Sequence, residues 1–391
     1  MKFTELPTPC YVVDEDLIEQ NLKILKGITD RTGARVLLAQ KAFSMYALYP
    51  LIGRFLNGAT ASGLYEARLC AEEMAAPAAL EGRWLENHIF SPAYREADFP
   101  EILQYCDHIV LNSWKQVEKF GFRVKTAGKS IGLRINPECS TQEGHAIYDP
   151  CSPGSRLGVT KENFELISGS ETGRRLLPML DGLHFHTLCE QNSDDLERTL
   201  NAVEEKFGQY LPAMKWINFG GGHHITRADY CISGLERCIR KMQEKYGLTV
   251  YLEPGEAVAL NAGFLITAVL ETVHNGMDIA ILDTSAACHM PDVLEMPYRP
   301  PLQKSGLPGE KAYTFRLGGP TCLAGDIIGD YSFDEPLREG DHLVFEDMAI
   351  YSMVKNNTFN GMPLPCIALR QKDGECRILK QFRYQDFKER L

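Results

Sequence analysis

The chain has 391 residues, of which 44% are hydrophobic and 24% are charged, a composition that argues against an intrinsically disordered chain. Forty-one Lys and Arg residues against 52 Asp and Glu residues give a net charge of −11, which disfavours nucleic acid and anionic membranes as partners. No apolar run approaches a membrane span, the first residues lack the features of a secretory signal, and the twelve Cys include no CxxC pair. We therefore expect a cytoplasmic enzyme with reduced thiols.

Short apolar or β-branched runs alternate with helix-patterned stretches from about residue 35 to residue 255. The runs are RVLLA (35–39), GATAS (58–62), HIFSP (88–92), HIVLNS (108–113), IGLRINP (131–137), GLHFHT (182–187), WINFGGG (216–222) and TVYLEPG (249–255). The stretches between them include GLYEARLCAEEM, SDDLERTLNAVEEKF and ISGLERCIRKMQEKYG. Eight such units over about 220 residues predict a (β/α)8 barrel, with an open doubly wound sheet as the alternative.

The pattern changes after residue 260, where strand-like segments are separated by Gly, Pro and Asn turns. These segments are GFLITAVLETVHNG, DIAILDTSA, YTFRLGGPTC and DHLVFEDMA, and CIALRQKDGECRILKQF predicts a hairpin around Asp373-Gly374. The opening TPCYVVD is also strand-like and could pair with these later strands. We predict a barrel domain over residues 12–258 and a mostly-β domain made of residues 1–11 and 259–391.

A barrel of this kind carries its functional residues at the carboxyl ends of its strands. In chain order, those ends present Lys41, Arg134, His184, His186, Gly220-Gly221-Gly222 and Glu253-Pro254-Gly255-Glu256. Lys41 could be a surface lysine at a strand end, or a desolvated amine with a lowered pKa that forms a Schiff base.

Three of these features together match the chemical needs of pyridoxal 5'-phosphate. An amine such as Lys41 binds its aldehyde, bare backbone N–H groups of the glycine run hold its phosphate, and a fixed carboxylate such as Glu253 keeps its pyridine nitrogen protonated. In this interpretation, His186 stacks its ring on the pyridine face, although it could instead be a hydrogen-bonded histidine at the barrel mouth.

Four histidines near the strand ends also allow a metal interpretation: His184, His186, His223 and His224. Two histidines at positions i and i+2 of one strand do face the same side. No motif such as HExxH accompanies them, however, and Lys41 would then have no role. We therefore expect no metal.

Several motifs resemble those of the fold-type III pyridoxal-phosphate decarboxylases, which include diaminopimelate, ornithine, arginine and carboxynorspermidine decarboxylases and share their architecture with alanine racemases. They are AQKAF, LRINP, HFH, FGGG and EPGE in the barrel, then GGPTCLAGD (318–326), EDMAIYS (346–352) and FNG (359–361). The resemblance covers essentially the whole chain. Within the family, DTSAACHMPDVLEMPYRP (283–300) and GGPTCLAGD look most like segments of the carboxynorspermidine decarboxylases.

The resemblance implies an α/β fold with a TIM barrel of the alanine-racemase type and a C-terminal mostly-β domain. It implies that Lys41 is the imine lysine, that His186 stacks on the ring, and that Glu253 is the partner of the pyridine nitrogen. Further cofactor contacts are implied for Arg134, Gly221, Gly222, Gly255 and Tyr351. It also implies a homodimer with shared active sites, in which Cys322 crosses the interface and reprotonates the product carbanion.

Two positions depart from the family pattern, because Glu256 stands where the family usually has Arg and Cys189 where it has Ser. Glu256 cannot hold a phosphate, and its carboxylate favours a cationic substrate arm, to which Asp292 and Asp326 would add negative charge. A polyamine fits this charge better than diaminopimelate, whose far end bears a second carboxylate.

We therefore predict the decarboxylation of carboxynorspermidine, and also of carboxyspermidine, to norspermidine and spermidine. The alternatives are a diaminopimelate decarboxylase and a non-catalytic pyridoxal-phosphate carrier. A carrier would resemble the barrel alone, whereas this chain adds a β domain that contains GGPTC.

Overall fold

The computed structural model describes residues 1–142 and 149–391. In chain order, the strands of these residues are β1 (Cys10–Asp14), β2 (Arg35–Ala39), β3 (Gly58–Ala61), β4 (Glu86–Phe90), β5 (His108–Leu111), β6 (Ser130–Arg134), β7 (Gly182–His184), β8 (Trp216–Asn218), β9 (Thr249–Leu252), β10 (Gly263–His274), β11 (Asp278–Leu282), β12 (Tyr313–Gly318), β13 (Ile327–Phe333), β14 (His342–Glu346), β15 (Cys366–Arg370) and β16 (Cys376–Lys380).

The α-helices of the described residues are α1 (Glu15–Thr32), α2 (Tyr49–Ile52), α3 (Leu64–Cys70), α4 (Ala76–Leu80), α5 (Phe99–Tyr105), α6 (Trp114–Thr126), α7 (Lys161–Ser168), α8 (Glu171–Leu176), α9 (Ser193–Phe207), α10 (Ile232–Tyr246), α11 (Glu256–Ala259), α12 (Ala286–His289), α13 (Asp292–Glu295), α14 (Ser352–Lys355) and α15 (Tyr384–Lys388). The chain forms two compact units, Asn21–Val258 and the combination of Met1–Gln20 with Ala259–Leu391.

The first unit contains a closed barrel of eight parallel strands, β2 to β9, in which β2 pairs with β9 to complete the ring. The predicted (β/α)8 barrel is thereby confirmed and the open doubly wound sheet is excluded. Parallel strands need apolar cover on both faces, which explains their nearly continuous apolar sequences. Leu37, Val110, Trp216 and Tyr251 form a buried cluster inside the ring, so the barrel has a packed core and is not a pore.

The barrel helices follow the local sequence signals closely. Helix α10 ends where Gly247 adopts a left-handed conformation, with φ of 68°, as glycine does at many helix ends. The stretch predicted as one helix from residue 63 instead contains a π-turn, Ala71–Ala75, between α3 and α4. Pro77 explains this difference, because it lacks the N–H that would bond to the carbonyl four residues before it.

The second unit is built on a sheet with the strand order β13-β12-β11-β10-β1-β15-β16, and β14 also pairs with β10. Strand β1 lies antiparallel to β10 and parallel to β15, so the opening strand does pair with the later strands. All of Cys10–Asp14 belongs to this sheet, which therefore takes more of the N-terminal segment than the residues 1–11 expected from the sequence. The hairpin predicted around Asp373-Gly374 joins β15 and β16.

Strand β13 was not predicted from the sequence. Gly329 and Asp330 interrupt its apolar pattern, and its pairing with β12 shifts register near Gly318. The core of this unit is formed mainly by buried aliphatic and aromatic side chains, among them Leu317, Tyr331 and Phe345. Among the residues that the structure describes, no helix is both long and apolar enough to cross a lipid bilayer.

Candidate active site

Lys41 lies two residues beyond the end of β2, at the carboxyl end of the barrel. Its side chain keeps access to solvent, but protein atoms crowd the amine and desolvate it. This desolvation lowers the pKa of Lys41, and the charge of Arg134 lowers it further, while Glu253 and Glu256 act in the opposite direction. A lowered pKa makes the neutral, nucleophilic amine more accessible near neutral pH.

Glu253 follows the end of β9 and is buried. Its Oε1 accepts a hydrogen bond from Asn218 Nδ2 at 2.8 Å, and its Oε2 lies 3.2 Å from His184 Nε2. Burial alone would raise the pKa of this carboxyl group, but His184, His88 and Asn218 outweigh that effect and hold the pKa at about 2. Glu253 is therefore an anion at neutral pH.

His186 presents a neutral imidazole at the same end of the barrel. Its Nδ1 accepts a hydrogen bond from the Gly221 N–H at 2.9 Å, which leaves the ring proton on Nε2. Burial, followed by the charges of Lys41 and Arg134, lowers the pKa of His186 well below its usual value. The ring is therefore uncharged and can lie against a flat aromatic partner.

Arg134 supports His186 from within the barrel. The guanidinium Nη2 donates to the His186 carbonyl at 3.2 Å, and the guanidinium carbon lies 4.5 Å from the centre of the Phe90 ring. Burial lowers the pKa of Arg134 to about 10, so the side chain is still cationic at neutral pH. These contacts place Arg134 among the residues that orient the site.

The glycine run after β8 needs glycine for steric reasons. Gly220 and Gly222 have φ of 70° and 80°, and a Cβ on Gly222 would lie 1.9 Å from the Leu188 carbonyl oxygen. A Cβ on Gly255 would lie 2.7 Å from the Cβ of Ala42, next to Lys41. Glycine at positions 222 and 255 thus lets the backbone pass close to neighbouring protein atoms. The N–H of Gly221 donates to His186 Nδ1, and the phosphate contact expected of Gly221 stays a prediction.

Glu256 is the first residue of α11, and its Oε2 lies 3.1 Å from His224 Nε2. The two residues and Glu190 bring three possible metal-ligand atoms within 4.8 Å of one another. The position at which the family usually has Arg therefore carries an acidic group at the barrel mouth.

A second group of possible metal ligands, Glu86, His88 and His108, lies at the amino ends of the strands. The two histidine rings are stacked, with centroids 4.0 Å apart and an interplanar angle of 12°. Their lone pairs consequently lie in nearly parallel planes and do not converge on one point. Glu86 already forms an ion pair with Arg35, so this geometry does not suit a cation.

The other expected site residues belong to the sheet unit. Cys322 is exposed in the loop between β12 and β13, and its N–H donates to Asn360 Oδ1 at 2.8 Å. Asp326 is buried and accepts hydrogen bonds from Ser285 and Thr321, at 2.8 and 2.6 Å. These bonds favour a role for Asp326 as the anchor of the Cys322 loop, and its expected substrate contact stays a prediction.

Asp292 and Tyr351 lie in the same unit. Asp292 begins α13 and forms an ion pair with Lys355, so any cationic ligand of this carboxylate would compete with a lysine. Tyr351 directly precedes α14 with φ of 56°.

The barrel mouth contains the chemical groups that pyridoxal phosphate requires. It combines an amine of lowered pKa (Lys41), a neutral flat ring (His186), an anionic carboxylate (Glu253) and glycine backbone at which a side chain would clash. The residues present therefore fit this cofactor. Asn218 was not predicted as a site residue, and His184 was considered only as a metal ligand, because a hydrogen bond between residues far apart in the sequence leaves no local sequence signal.

Comparisons with known proteins agree with this site. The family described as pyridoxal-dependent decarboxylase, C-terminal sheet domain, matches residues 10–349. The carboxynorspermidine/carboxyspermidine decarboxylase of Campylobacter jejuni is 39% identical over 99% of both chains. The carboxyaminopropylagmatine decarboxylase of Synechocystis is also 39% identical, over 100% of this chain and 97% of its own.

The crystal structure of carboxynorspermidine decarboxylase from C. jejuni, complexed with norspermidine, superposes with a TM-score of 0.88 at 38% identity, covering 99% of this chain and 100% of that one. Diaminopimelate decarboxylases are more distant, and that of Pseudomonas aeruginosa is 26% identical over 59% of this chain. The chain therefore belongs to the pyridoxal-dependent decarboxylases, which are carboxy-lyases, and to the branch that contains the carboxynorspermidine/carboxyspermidine decarboxylases.

Proposed function

We propose that this protein decarboxylates carboxynorspermidine and carboxyspermidine to norspermidine and spermidine, with pyridoxal phosphate as its cofactor. The observation that carries the proposal is the acidic barrel mouth, where Glu256 stands in place of an arginine and its charge acts on Lys41. A carboxylate there attracts the ammonium groups of a polyamine and repels the second carboxylate of diaminopimelate. The near-full-length identity to the C. jejuni enzyme supports the same substrate class.

Pyridoxal phosphate, when bound, supplies an aldehyde for the substrate amine and a ring that accepts the electron pair left by carbon dioxide. Lys41 would hold the aldehyde carbon, and its lowered pKa lets the amine accept or release a proton there. Glu253 would hold a proton at the pyridine nitrogen. His186 would cover one face of the ring.

The phosphate would rest on the backbone at Gly222 and Gly255 and on Tyr351. Because no arginine follows Gly255, the backbone must provide a larger share of the phosphate contacts than in the family pattern.

Specificity for loss of carbon dioxide would depend on how the protein's own residues orient the bond between Cα and the substrate carboxylate, which is a positioning effect. Residues that fix the substrate's far end therefore affect the rate as well as the affinity. Glu256 and Asp292 are the candidates for this contact.

A carbon-dioxide release assay tests the proposed activity on five substrates: carboxynorspermidine, carboxyspermidine, carboxyaminopropylagmatine, diaminopimelate and ornithine. We expect the first two to give the highest kcat/KM. The third is the main competitor because a relative of equal identity is a carboxyaminopropylagmatine decarboxylase. A higher kcat/KM for diaminopimelate or for carboxyaminopropylagmatine would overturn the substrate assignment.

We also propose that the protein works in the cytoplasm as a homodimer, with no nucleic acid among its partners, in which Cys322 of each copy serves the site of the other. The exposed thiol of Cys322 and the family resemblance of its loop support the shared site. The net charge of −11 argues against nucleic acid, and the twelve free thiols suit a reducing compartment.

A further inference from the structure

Two buried side chains bind the carboxylate of Glu253, one on each oxygen. Asn218 Nδ2 donates to Oε1 at 2.8 Å, and His184 Nε2 lies 3.2 Å from Oε2. Both partners come from neighbouring strands of the barrel, β7 and β8. The carboxylate is thus fixed in orientation, and each oxygen keeps a further lone pair for another donor.

His184 can donate to Glu253 through only one nitrogen. The ring is buried and stacks on Phe90, with centroids 5.5 Å apart and an interplanar angle of 18°. Its Nδ1 has no hydrogen-bond partner among the described residues. Burial lowers the pKa of His184, so the imidazole is neutral and its single proton lies on Nε2, facing the carboxylate. A neutral donor orients Glu253 without cancelling its negative charge.

The orientation of the Asn218 amide is also determined by its hydrogen bonds. Its Oδ1 accepts a hydrogen bond from the Gly220 N–H at 2.8 Å, so its NH2 group must face Glu253. The Gly220 carbonyl in turn accepts the Glu253 N–H at 2.8 Å. One side chain therefore links the glycine run to the orientation of Glu253.

We propose that His184 and Asn218 are positioning residues that hold Glu253 as an oriented anion, and that they thereby keep the proton on the pyridine nitrogen of the cofactor. This inference rests on the proposed use of pyridoxal phosphate. A carboxylate that already accepts two hydrogen bonds is a weaker base, so a proton shared with the pyridine nitrogen stays on the nitrogen. Groups that support a reactive residue in this way commonly change activity by about 10-fold to 100-fold.

The test uses His184→Phe, which keeps an aromatic ring against Phe90 but removes the donor, and His184→Gln, which keeps a donor. His223→Phe is the matched control, since it removes another buried, neutral imidazole of the barrel. Each protein is loaded with pyridoxal phosphate labelled with ¹⁵N in the ring, and the nitrogen chemical shift is measured. Thermal melting confirms that each variant folds.

We expect His184→Phe to move the nitrogen signal toward the unprotonated value and to lower kcat about 10-fold or more, with KM changed less than about twofold. His184→Gln should retain most of the wild-type signal, and His223→Phe should leave it unchanged. An unchanged signal in His184→Phe, or an equal loss in His184→Gln, would overturn the proposal and assign His184 to packing alone. If the wild-type protein binds the cofactor but releases no carbon dioxide from polyamine acids, the proposed function fails, whereas the nitrogen signal still decides the role of His184.

Discussion

At the scale of single residues, the surroundings lower the pKa values of both the amine and the carboxylate at the barrel mouth. The pKa of Lys41 is lowered and that of Glu253 is held at about 2, so an amine that loses its proton more easily than usual lies near a carboxylate that is anionic at neutral pH. Pairs of groups whose pKa values are displaced by their surroundings are typical of acid–base sites.

Lys41 is expected to carry the cofactor. Borohydride reduction of the loaded protein, followed by peptide mapping, should place the pyridoxyl mass on Lys41, because its amine is desolvated at the strand end. Lys125 and Lys215, which both bind Asp181, provide internal references that should stay unlabelled. Label on any other lysine would refute the assignment.

The carboxylate of Glu253 is expected to matter for turnover more than for cofactor binding. In Glu253→Gln, the pyridine nitrogen loses its anionic partner while the phosphate contacts remain. Loss of one such electrostatic partner costs about 3 kcal/mol, or about a hundredfold in kcat. Steady-state kinetics and a cofactor titration measure the two effects separately, and a variant with unchanged kcat and full cofactor content would contradict the role.

Glu256 is expected to select cationic substrates. Charge-assisted hydrogen bonds contribute about 1.5–3 kcal/mol, so Glu256→Gln should raise KM for carboxynorspermidine about tenfold. Glu190→Gln removes a neighbouring carboxylate of the same cluster and serves as the control, with a smaller expected change. Equal effects of the two substitutions would mean that only the overall charge of the mouth matters.

At the scale of elements, the loop after β8 is the most constrained part of the site. Gly220 and Gly222 both adopt positive φ, and the surrounding carbonyl groups leave no space for a side chain. The loop is therefore closely packed against its neighbours, and a loop that keeps this conformation when a ligand binds loses little entropy.

Gly222→Ala is expected to weaken cofactor binding and to destabilise the fold. The added Cβ would meet the Leu188 carbonyl oxygen at 1.9 Å, and strained backbone of this kind costs about 1–3 kcal/mol. Gly247→Ala is a matched control, because Gly247 also has positive φ but a Cβ added there would meet no atom within 4 Å. Thermal melting and cofactor titration should show a larger loss for residue 222, and similar losses at both positions would disprove the steric argument.

The sequence predicted the elements that have strong local signals. Helices α9 and α10 and the eight barrel strands follow from periodicity, capping residues and glycine turns. Strand β13 was missed because Gly329 and Asp330 break its alternation. Lys41 and Glu253 were found from their positions at strand ends, but Asn218 and His184 acquire their roles only through contacts across strands. The hydrogen bond from the Gly221 N–H to His186 likewise depends on the three-dimensional path of the loop, which the local sequence does not reveal.

At the scale of the whole molecule, the proposed chemistry needs residues from both units of the chain. Lys41 and Glu253 belong to the barrel unit, whereas Cys322 and Tyr351 belong to the sheet unit. In the proposed homodimer, Cys322 serves the site of a partner copy, and we therefore expect the dimer to be the functional species.

Mixing two inactive variants tests this arrangement. Lys41→Ala and Cys322→Ala, combined in equal amounts under conditions that exchange subunits, should recover about a quarter of the wild-type activity, because half of the dimers are mixed and each mixed dimer has one intact site. Analytical ultracentrifugation and differently tagged copies verify dimerisation and exchange. If exchange occurs and no activity returns, Cys322 acts within its own chain or outside the chemistry.

The interior position of β1 in its sheet has a consequence for biosynthesis. Cys10 pairs with Ile266 on one side and with Cys366 on the other, so β1 leaves the ribosome well before either of the strands that flank it. All eight barrel strands are made between β1 and β10, and they can close before β1 has either of its neighbours. Pairing between such distant segments is slow to form, and both edges of β1 need protection from wrong partners until β10 and β15 have been made.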